Sequence, residues 1–186
     1  MSTVSHRGFS LIEVLVALLV LAIGVLGIVM LQLVTLRATR DTLFQSSALN
    51  LATTIAEQVG LSTHSPEMLQ QFAQFDYSAS DLVAVSGSSC YGSGSSCTPE
   101  QIASAAMHEW QQRLRESLPG ARLRICRDAS PWQASMKSMR WECAAGGDAS
   151  GATTPLWIKI GWPSSALSTA VPAAPQMVLP IAAFSR

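Results

Sequence analysis

An unbroken apolar segment near the N-terminus constrains this chain more than any other feature. It runs from Phe9 to Val34, and Glu13 is its only charged residue. A helix that spans a bilayer needs about 20 apolar residues, so this segment is long enough to cross a membrane. The preceding residues, 1–8, are polar, with Arg7 as the one fixed charge. Because basic flanks stay in the cytoplasm, we expect residues 1–8 inside and the rest of the chain outside.

A Sec signal peptide is the alternative interpretation of the same segment. Such a peptide has an apolar core of about 7–15 residues and then a small-residue cleavage site, and Ala22-Ile23-Gly24 has that character. Cleavage there would expose the apolar residues 25–34 at the start of the mature chain. An acidic residue inside the core is also atypical, because a charge at a helix centre costs about 2.5–3.5 kcal/mol. A Sec-exported soluble binding domain is therefore the weaker alternative.

The junction between the leader and the apolar segment has a distinctive pattern, Gly8-Phe9-Ser10-Leu11-Ile12-Glu13. It resembles the class III signal of type IV pilins and of type II secretion pseudopilins, in which a Gly, an aromatic residue, three residues and a Glu open an apolar helix. The resemblance implies that prepilin peptidase cleaves after Gly8 and N-methylates Phe9. It also implies that Glu13 pairs with the Phe9 amine of a neighbouring subunit during assembly. The alternative for Glu13 is a position near the membrane interface, with no assembly role.

Helical character continues beyond the apolar segment, because no proline occurs before Pro66. One apolar face follows the 3-and-4 spacing of an amphipathic helix; its residues are Phe44, Ala48, Leu51, Ala52, Ile55 and Val59. Gly24 and Gly27 either allow close approach of other helices or only fill the membrane segment. The predicted organisation is a leader at 1–8, a transmembrane half-helix at 9–34, an amphipathic half-helix at 35–60 and a periplasmic globular head at 61–186.

The head combines a second helix with strands. Thr98, Pro99 and Gln101 form the signature of a capped helix start, and Pro119-Gly120 ends that helix. Its apolar residues recur every four positions; they are Ile102, Ala106, Trp110, Leu114 and Leu118. Apolar and polar residues then alternate in 122–127, 139–143 and 156–162, and a last apolar run covers 177–183. These patterns predict an antiparallel sheet of about four strands, so the expected fold is α+β, which agrees with the pilin fold that the resemblance implies.

Four cysteines lie beyond the membrane segment, where disulfides persist. Three pairings are possible, and local pairing is the expectation. Cys90–Cys97 would close a Ser/Gly-rich loop, and Cys126–Cys143 would join two neighbouring strands. Neither C-x-x-C nor a nearby His accompanies these cysteines, so we predict no metal site.

Catalytic and nucleic-acid-binding patterns are weak. His108-Glu109 opens like a zincin motif, but position 112 is Gln. Arg122, Arg124 and Arg127 could form a basic stripe for phosphates, although a solvated strand face is the simpler interpretation. The formal net charge is zero, from 12 basic and 12 acidic residues, so no general field favours nucleic acid. We predict no enzymatic activity, no cofactor and no specific nucleic-acid partner.

Parts of the head resemble PilV-type minor pilins. The segments behind this resemblance are Ile23–Gly27, Trp110 to Ala121, Cys126 to Cys143 with Trp141, and Leu156–Trp162. It implies a minor subunit at a filament or its tip-priming complex, with attachment, twitching motility or DNA uptake as outcomes. The implied partners are prepilin peptidase, other minor pilins, the major pilin and inner-membrane lipid, in a Gram-negative bacterium. A minor pseudopilin of type II secretion is the closest alternative.

Overall fold

The computed structural model describes residues 10–80, 90, 96–144, 154–163 and 172–181, and it divides into two compact units, Met1–Leu43 and Phe44–Arg186. The helices are α1 (Leu11–Leu61), a short 3-10 turn (Ser62–His64), α2 (Pro66–Phe72) and α3 (Pro99–Ser117). The strands are β1 (Asp76–Ser78), β2 (Arg122–Arg127), β3 (Trp132–Gln133), β4 (Ser138–Met139), β5 (Leu156–Gly161) and β6 (Met177–Ile181). The architecture is α+β, as the sequence predicts.

Helix α1 forms without interruption over 51 residues. Every residue from Ser10 to Thr39 is exposed. In the Phe44–Arg186 unit the same helix buries the predicted apolar face, with Ala48, Leu51, Ala52, Ile55 and Val59 in the core and Phe44 packed against it half-buried. The amphipathic prediction for this part of the helix is therefore confirmed.

Helix α3 begins with the predicted capping box. The backbone N–H of Gln101 donates to the Thr98 hydroxyl at 3.4 Å, and the Thr98 N–H donates to the Gln101 side-chain carbonyl at 3.0 Å. Trp110 is fully buried, with its ring 5.0 Å from that of Phe72 on α2 and 5.8 Å from that of Phe75. These aromatic contacts hold α3 against the short helix α2, which the sequence analysis missed.

Two residues of the predicted α3 face are not fully buried, because Ala106 is half-buried and Ile102 is exposed. Trp110, Leu114 and Leu118 are completely buried, but Ile102 is 46% exposed and Ala103 takes the core position instead. An α-helix has about 3.6 residues per turn, so a repeat of four drifts by about 40° at each step. Over the length of α3 this drift moves Ile102 out of the core, and it becomes a surface apolar residue.

The main sheet is antiparallel with the order β1-β2-β5-β6. In the β2–β5 pair, Leu123 lies opposite Ile160 and Ile125 opposite Ile158. All four side chains are fully buried in the core that α1 and α3 contribute to. The apolar side of these two strands therefore faces the helices.

The strand predicted at 139–143 is wrong. Only Ser138–Met139 is extended there, and it pairs with β3 in a separate two-stranded hairpin. The fourth strand of the main sheet is instead β1, which pairs with β2. The carbonyl oxygens of Arg140 and Glu142 accept hydrogen bonds from the Lys159 side chain, not from a strand. A long-range side-chain contact thus replaces the ladder that the alternation suggested.

Candidate functional site

The exposed part of α1 is the first candidate site. Its large aliphatic side chains from Leu11 to Leu36 are 44–81% exposed, and Glu13 is the only charged residue between Ser10 and Leu36. Within the described residues α1 is the one helix long and apolar enough to cross a membrane. Exposed apolar area of this extent marks a surface for lipid or for other proteins.

Glu13 lies in the first turn of this helix. Its backbone N–H donates to the Ser10 carbonyl at 3.0 Å, and the Val14 N–H reaches the same oxygen at 3.3 Å. A carboxylate near a helix N-terminus is favoured by the partial positive charge of the unpaired N–H groups there. The two predicted processing residues, Gly8 and Phe9, lie outside the described residues, so the pairing of Glu13 with the Phe9 amine stays a prediction.

Threonine hydroxyls follow the apolar stretch of α1. Thr35 donates to the Leu31 carbonyl at 2.9 Å, Thr39 to the Thr35 carbonyl at 2.9 Å and Thr42 to the Ala38 carbonyl at 3.0 Å. A hydroxyl bonded to the carbonyl one turn back has its donor satisfied inside the helix. These residues therefore place polar atoms beside the apolar segment without requiring a water or a partner for each donor.

A buried ion pair is the second candidate, and it lies on the sheet face opposite the helices. Lys159 on β5 and Asp128, just after β2, both have completely buried side chains, and Lys159 Nζ is 2.5 Å from Asp128 Oδ2. The same ammonium donates to the carbonyl oxygens of Arg140 and Glu142, each at 2.9 Å. All three donors of the lysine are thereby used.

The carboxylate of Asp128 is also fully engaged in hydrogen bonds. Its Oδ1 accepts from the backbone N–H of Ser130 at 3.0 Å and of Ala144 at 3.3 Å, and Arg140 Nη2 lies 3.5 Å away. Burial alone raises the pKa of Asp128, but the hydrogen bond and charge of Lys159 and the two backbone donors outweigh it, so the pKa lies below its ordinary value. The carboxylate therefore stays ionised and fixes residues 128–144 to the sheet.

Sequence reasoning missed this pair. The alternation of Leu156, Ile158 and Ile160 with Trp157 and Lys159 placed the lysine on the polar side of its strand. In the structure that side is also covered, and β5 has no exposed residue. A single lysine in an otherwise apolar strand was the available signal, but its partner Asp128 is 31 residues away and no local pattern connects them.

The disulfides agree with the local pairing expected from the sequence. Cys90 is bonded to Cys97, and Cys126 to Cys143. The expectation that the second bond joins neighbouring strands is wrong, because Cys143 lies in the loop after β4. The bond instead brackets the same segment that Asp128 and Lys159 hold, so a covalent and an ionic restraint act together on residues 128–144.

Gly161 provides a third restraint at the end of β5. A Cβ at this position would lie 2.8 Å from Trp141 Cζ2 and 3.0 Å from the Ala174 carbonyl oxygen. The Trp141 indole N–H in turn donates to the Pro172 carbonyl at 2.8 Å. The absence of a side chain at Gly161 therefore lets Trp141 lie directly on the strand.

We expect Gly161→Ala to lower the free energy of unfolding by about 1–3 kcal/mol, the usual cost of overpacking a filled site. Urea unfolding of the protein in detergent, followed by tryptophan fluorescence, measures this change. Gly24→Ala is the matched control, because no atom lies within 4 Å of a Cβ added there. Equal midpoints for Gly161→Ala and the unchanged protein would contradict the close packing.

Glu109 and the three arginines weighed for catalysis or phosphate binding have structural partners, whereas His108 Nδ1 is buried without a hydrogen-bond partner in the described part of the chain. Glu109 pairs with Arg113 at 2.6 Å, one turn along α3. Arg122 makes two hydrogen bonds to Asp76, Arg124 lies 3.6 Å from the same carboxylate, and Arg127 donates to the Thr154 carbonyl. The described residues contain no group of three or more His, Cys, Asp or Glu that could hold a metal ion. The arginine stripe is thus engaged within the sheet.

An exposed apolar helix with one carboxylate in its first turn, followed by an α+β unit with a four-stranded antiparallel sheet, defines a pilin-like fold. Residues 4–29 match the family model described as the prokaryotic N-terminal methylation motif. This match supports a type IV pilin-like protein, and a structural role more than a catalytic one. No curated protein and no solved structure matches the chain significantly.

Proposed function

We propose that this chain is a minor pilin of a type IV pilus, which joins the filament or its tip-priming complex and promotes assembly. The observation that carries the proposal is the methylation motif at residues 4–29, which overlaps the exposed apolar helix that begins at Leu11. A peptidase that cleaves before the apolar segment, after Gly8, leaves that segment on the mature protein. The helix then serves first as a membrane anchor and afterwards as the subunit's contact with other subunits.

Assembly by this route depends on Phe9 and Glu13. Cleavage after Gly8 creates a positive amine at Phe9, about one helical turn from Glu13. An ionisable group inside a membrane is a functional candidate that needs a partner, and the amine of an adjacent subunit supplies one. Pairing offsets part of the cost of removing both charges from water. The carboxylate thereby favours one particular axial offset between the helices of neighbouring subunits.

The choice of a minor pilin rests on the head. The segments that resemble PilV-type minor pilins include Cys126 to Cys143 and Leu156–Trp162, and these are the segments that build the buried ion pair and the Gly161 contact. The first segment contains a loop that the buried ion pair holds to the outer face of the sheet, and the second contains strand β5 of that sheet. On this proposal the head lies in the periplasm of a Gram-negative cell before assembly and on the filament afterwards.

The first test is the mass and N-terminal sequence of the protein from membranes, with and without prepilin peptidase. We expect a chain that begins at Phe9 and carries one extra methyl group, only when the peptidase is present. A start near Val25 in both backgrounds would instead identify a Sec-exported domain. An intact Met1 in both backgrounds would also contradict the proposal.

A second measurement separates the pilus from a secretion apparatus. Sheared filaments are collected from cells with either the pilus or the type II secretion genes deleted, and the protein is detected by antibody. Loss from the sheared fraction only when pilus genes are deleted supports the minor pilin. Dependence on the secretion genes would assign the chain to the pseudopilins.

A further inference from the structure

The charged residues that border the apolar part of α1 lie at its two ends. Glu13 is in the first turn, and the next charged residue along the helix is Arg37, 24 positions later. Every residue between them is exposed and uncharged. Because α1 is continuous over this part, the distance between the two charged positions along the helix axis is fixed.

This distance agrees with the thickness of a bilayer. An α-helix rises 1.5 Å per residue, so about 36 Å separate Glu13 from Arg37 along the axis. The hydrocarbon core of a bilayer is about 30 Å thick, and about 40–45 Å thick when the headgroup layers are included. The average tilt of membrane helices, about 20°, shortens the span only to about 34 Å. Both charged residues can therefore lie in a headgroup layer at the same time.

Sliding the helix away from this position is unfavourable in either direction. A shift inward would take the Arg37 guanidinium into hydrocarbon, where a charge is costly. A shift outward by two turns would take the Glu13 carboxylate there instead, and it would leave Leu31, Val34 and Leu36 in water. These three side chains are 63–70% exposed in the structure, so lipid can cover most of their surface and water contact is unfavourable for them.

Arg37 has no charged partner in the described part of the chain. Its side chain is exposed, and Asp41, one turn further along α1, forms no ion pair with it. The neighbouring hydroxyl of Thr35 donates to the Leu31 carbonyl at 2.9 Å and that of Thr39 to the Thr35 carbonyl at 2.9 Å. The guanidinium is thus the group at this level that needs an outside partner. Its planar fork of N–H donors matches a phosphate group.

We propose that Arg37 binds the phosphate of a phospholipid in the outer leaflet and sets the depth of α1, so that before assembly Glu13 lies in the inner headgroup layer. The inference rests on the proposed function in one respect, that α1 spans the membrane with the head outside. It deepens that function, because the Glu13 carboxylate then loses its water only when the subunit leaves the bilayer. That is the step at which the Phe9 amine of a neighbour replaces the water.

The first test measures the depth of α1 in vesicles of phosphatidylethanolamine and phosphatidylglycerol. Single cysteines are introduced along α1 of the full chain and labelled with a nitroxide, since the described cysteines are all in disulfides. Collision with oxygen and with a nickel chelate present on both sides of the membrane gives the depth of each label. We expect the deepest label at Val25, midway between Glu13 and Arg37, and free access of the chelate to a label at Val14.

Moving the arginine tests whether Arg37 sets this depth. The double substitution Arg37→Leu with Leu33→Arg keeps the net charge and moves the guanidinium one turn toward the N-terminus. The deepest label should then move from Val25 toward Leu21, a shift of about 3–6 Å. Arg40→Leu is the matched control, because it removes one positive charge from the same flank, and it should leave Val25 deepest. An unchanged profile after the move, or an equal shift in the control, would overturn the proposal.

The phosphate contact is tested by solid-state NMR on the same vesicles. The signal of arginine labelled with ¹³C at Cζ should be dephased by lipid ³¹P, and Arg37→Gln should remove this dephasing while Arg40→Gln retains it. Dephasing that survives Arg37→Gln would overturn the phosphate contact.

Failure of this inference differs from failure of the proposed function. A spanning profile that is deepest near Leu18, with Val14 protected from the chelate, would place Glu13 in hydrocarbon and overturn only the depth assigned here. Free access of the chelate to labels at both Leu18 and Val25 would show that α1 does not span the membrane, which contradicts the proposed function as well.

Discussion

Replacing Lys159 by Met is expected to lower the free energy of unfolding by about 3–5 kcal/mol, the cost of leaving a buried charge without its partner. Asp128 would keep its carboxylate at a site with no exposed side-chain surface, while the carbonyls of Arg140 and Glu142 would lose their donor. Urea unfolding in detergent, with the disulfides intact, measures the change. This loss of unfolding free energy should exceed the loss caused by breaking any surface ion pair in the described part of the chain.

Two further variants identify the buried charge as the cause. The double substitution Lys159→Met with Asp128→Asn should recover part of the loss, because no uncompensated charge remains. Glu109→Gln, which breaks the surface pair with Arg113, should cost only about 0.2–1 kcal/mol. If Lys159→Met were no more harmful than Glu109→Gln, the ion pair would not hold the loop.

The pH dependence of the same pair has a definite sign. The pKa of Asp128 is lowered in the folded protein. The ionised carboxylate therefore contributes its full amount to the free energy of unfolding at pH values above the ordinary pKa of about 3.9 in the unfolded chain. This contribution is lost as the pH falls through the lower folded value. Acid unfolding of the Asp128→Asn variant should therefore show a smaller loss of stability below about pH 4 than that of the unchanged protein.

Glu13→Ala is expected to remove the protein from sheared filaments almost completely, on the proposal that Glu13 meets the Phe9 amine of a neighbour. Loss of one partner of a desolvated pair costs about 3–5 kcal/mol, which is more than a hundredfold in an association constant. Quantitative immunoblots of the sheared and membrane fractions measure the loss. The mass of the membrane-bound chain in the same cells shows whether the leader has still been removed.

Ser10→Ala is the matched control for that experiment. Ser10 is the other polar residue at the start of α1, and the contacts described for it use its backbone carbonyl, so the substitution leaves them in place. Normal incorporation is expected for Ser10→Ala and partial incorporation for Glu13→Asp, which keeps the charge on a shorter side chain. Normal incorporation of Glu13→Ala would show that the carboxylate has no assembly role.

Much of the fold was predictable because its signals are local. The long helix follows from the absence of proline before Pro66, the start of α3 from the Thr98 capping box, and the core strands from period-two alternation. The class III signal at Gly8 to Glu13 was recognisable for the same reason, since all its elements lie within six consecutive residues. Each of these features has a signal that spans only a few consecutive residues, although the strands themselves pair with distant ones.

The errors occurred where partners are distant in the chain. Residues 139–143 alternate as a strand would, but Lys159 takes two of their carbonyl oxygens and leaves no strand partner. Strand β1 is only three residues long and forms because β2 pairs with it more than 40 positions later in the chain, with Asp76 opposite Arg124 and Ser78 opposite Arg122. Such short elements have too little periodicity to be recognised on their own.

The sequence by itself indicated the pilin-like class, a helix long and apolar enough to cross a membrane, the approximate ends of α1 and α3, and a preference for local cysteine pairing. Hydropathy, capping and loop length provide these signals because they act over short distances. The tertiary structure decided that Lys159 is buried, that Trp141 lies on Gly161 and that Trp132 and Met136 are exposed. Lys159 is buried on the outer face of the sheet because Asp128, 31 residues away in the chain, provides a counter-charge. A polar residue can enter a core only with such a partner, and the partner is found by folding.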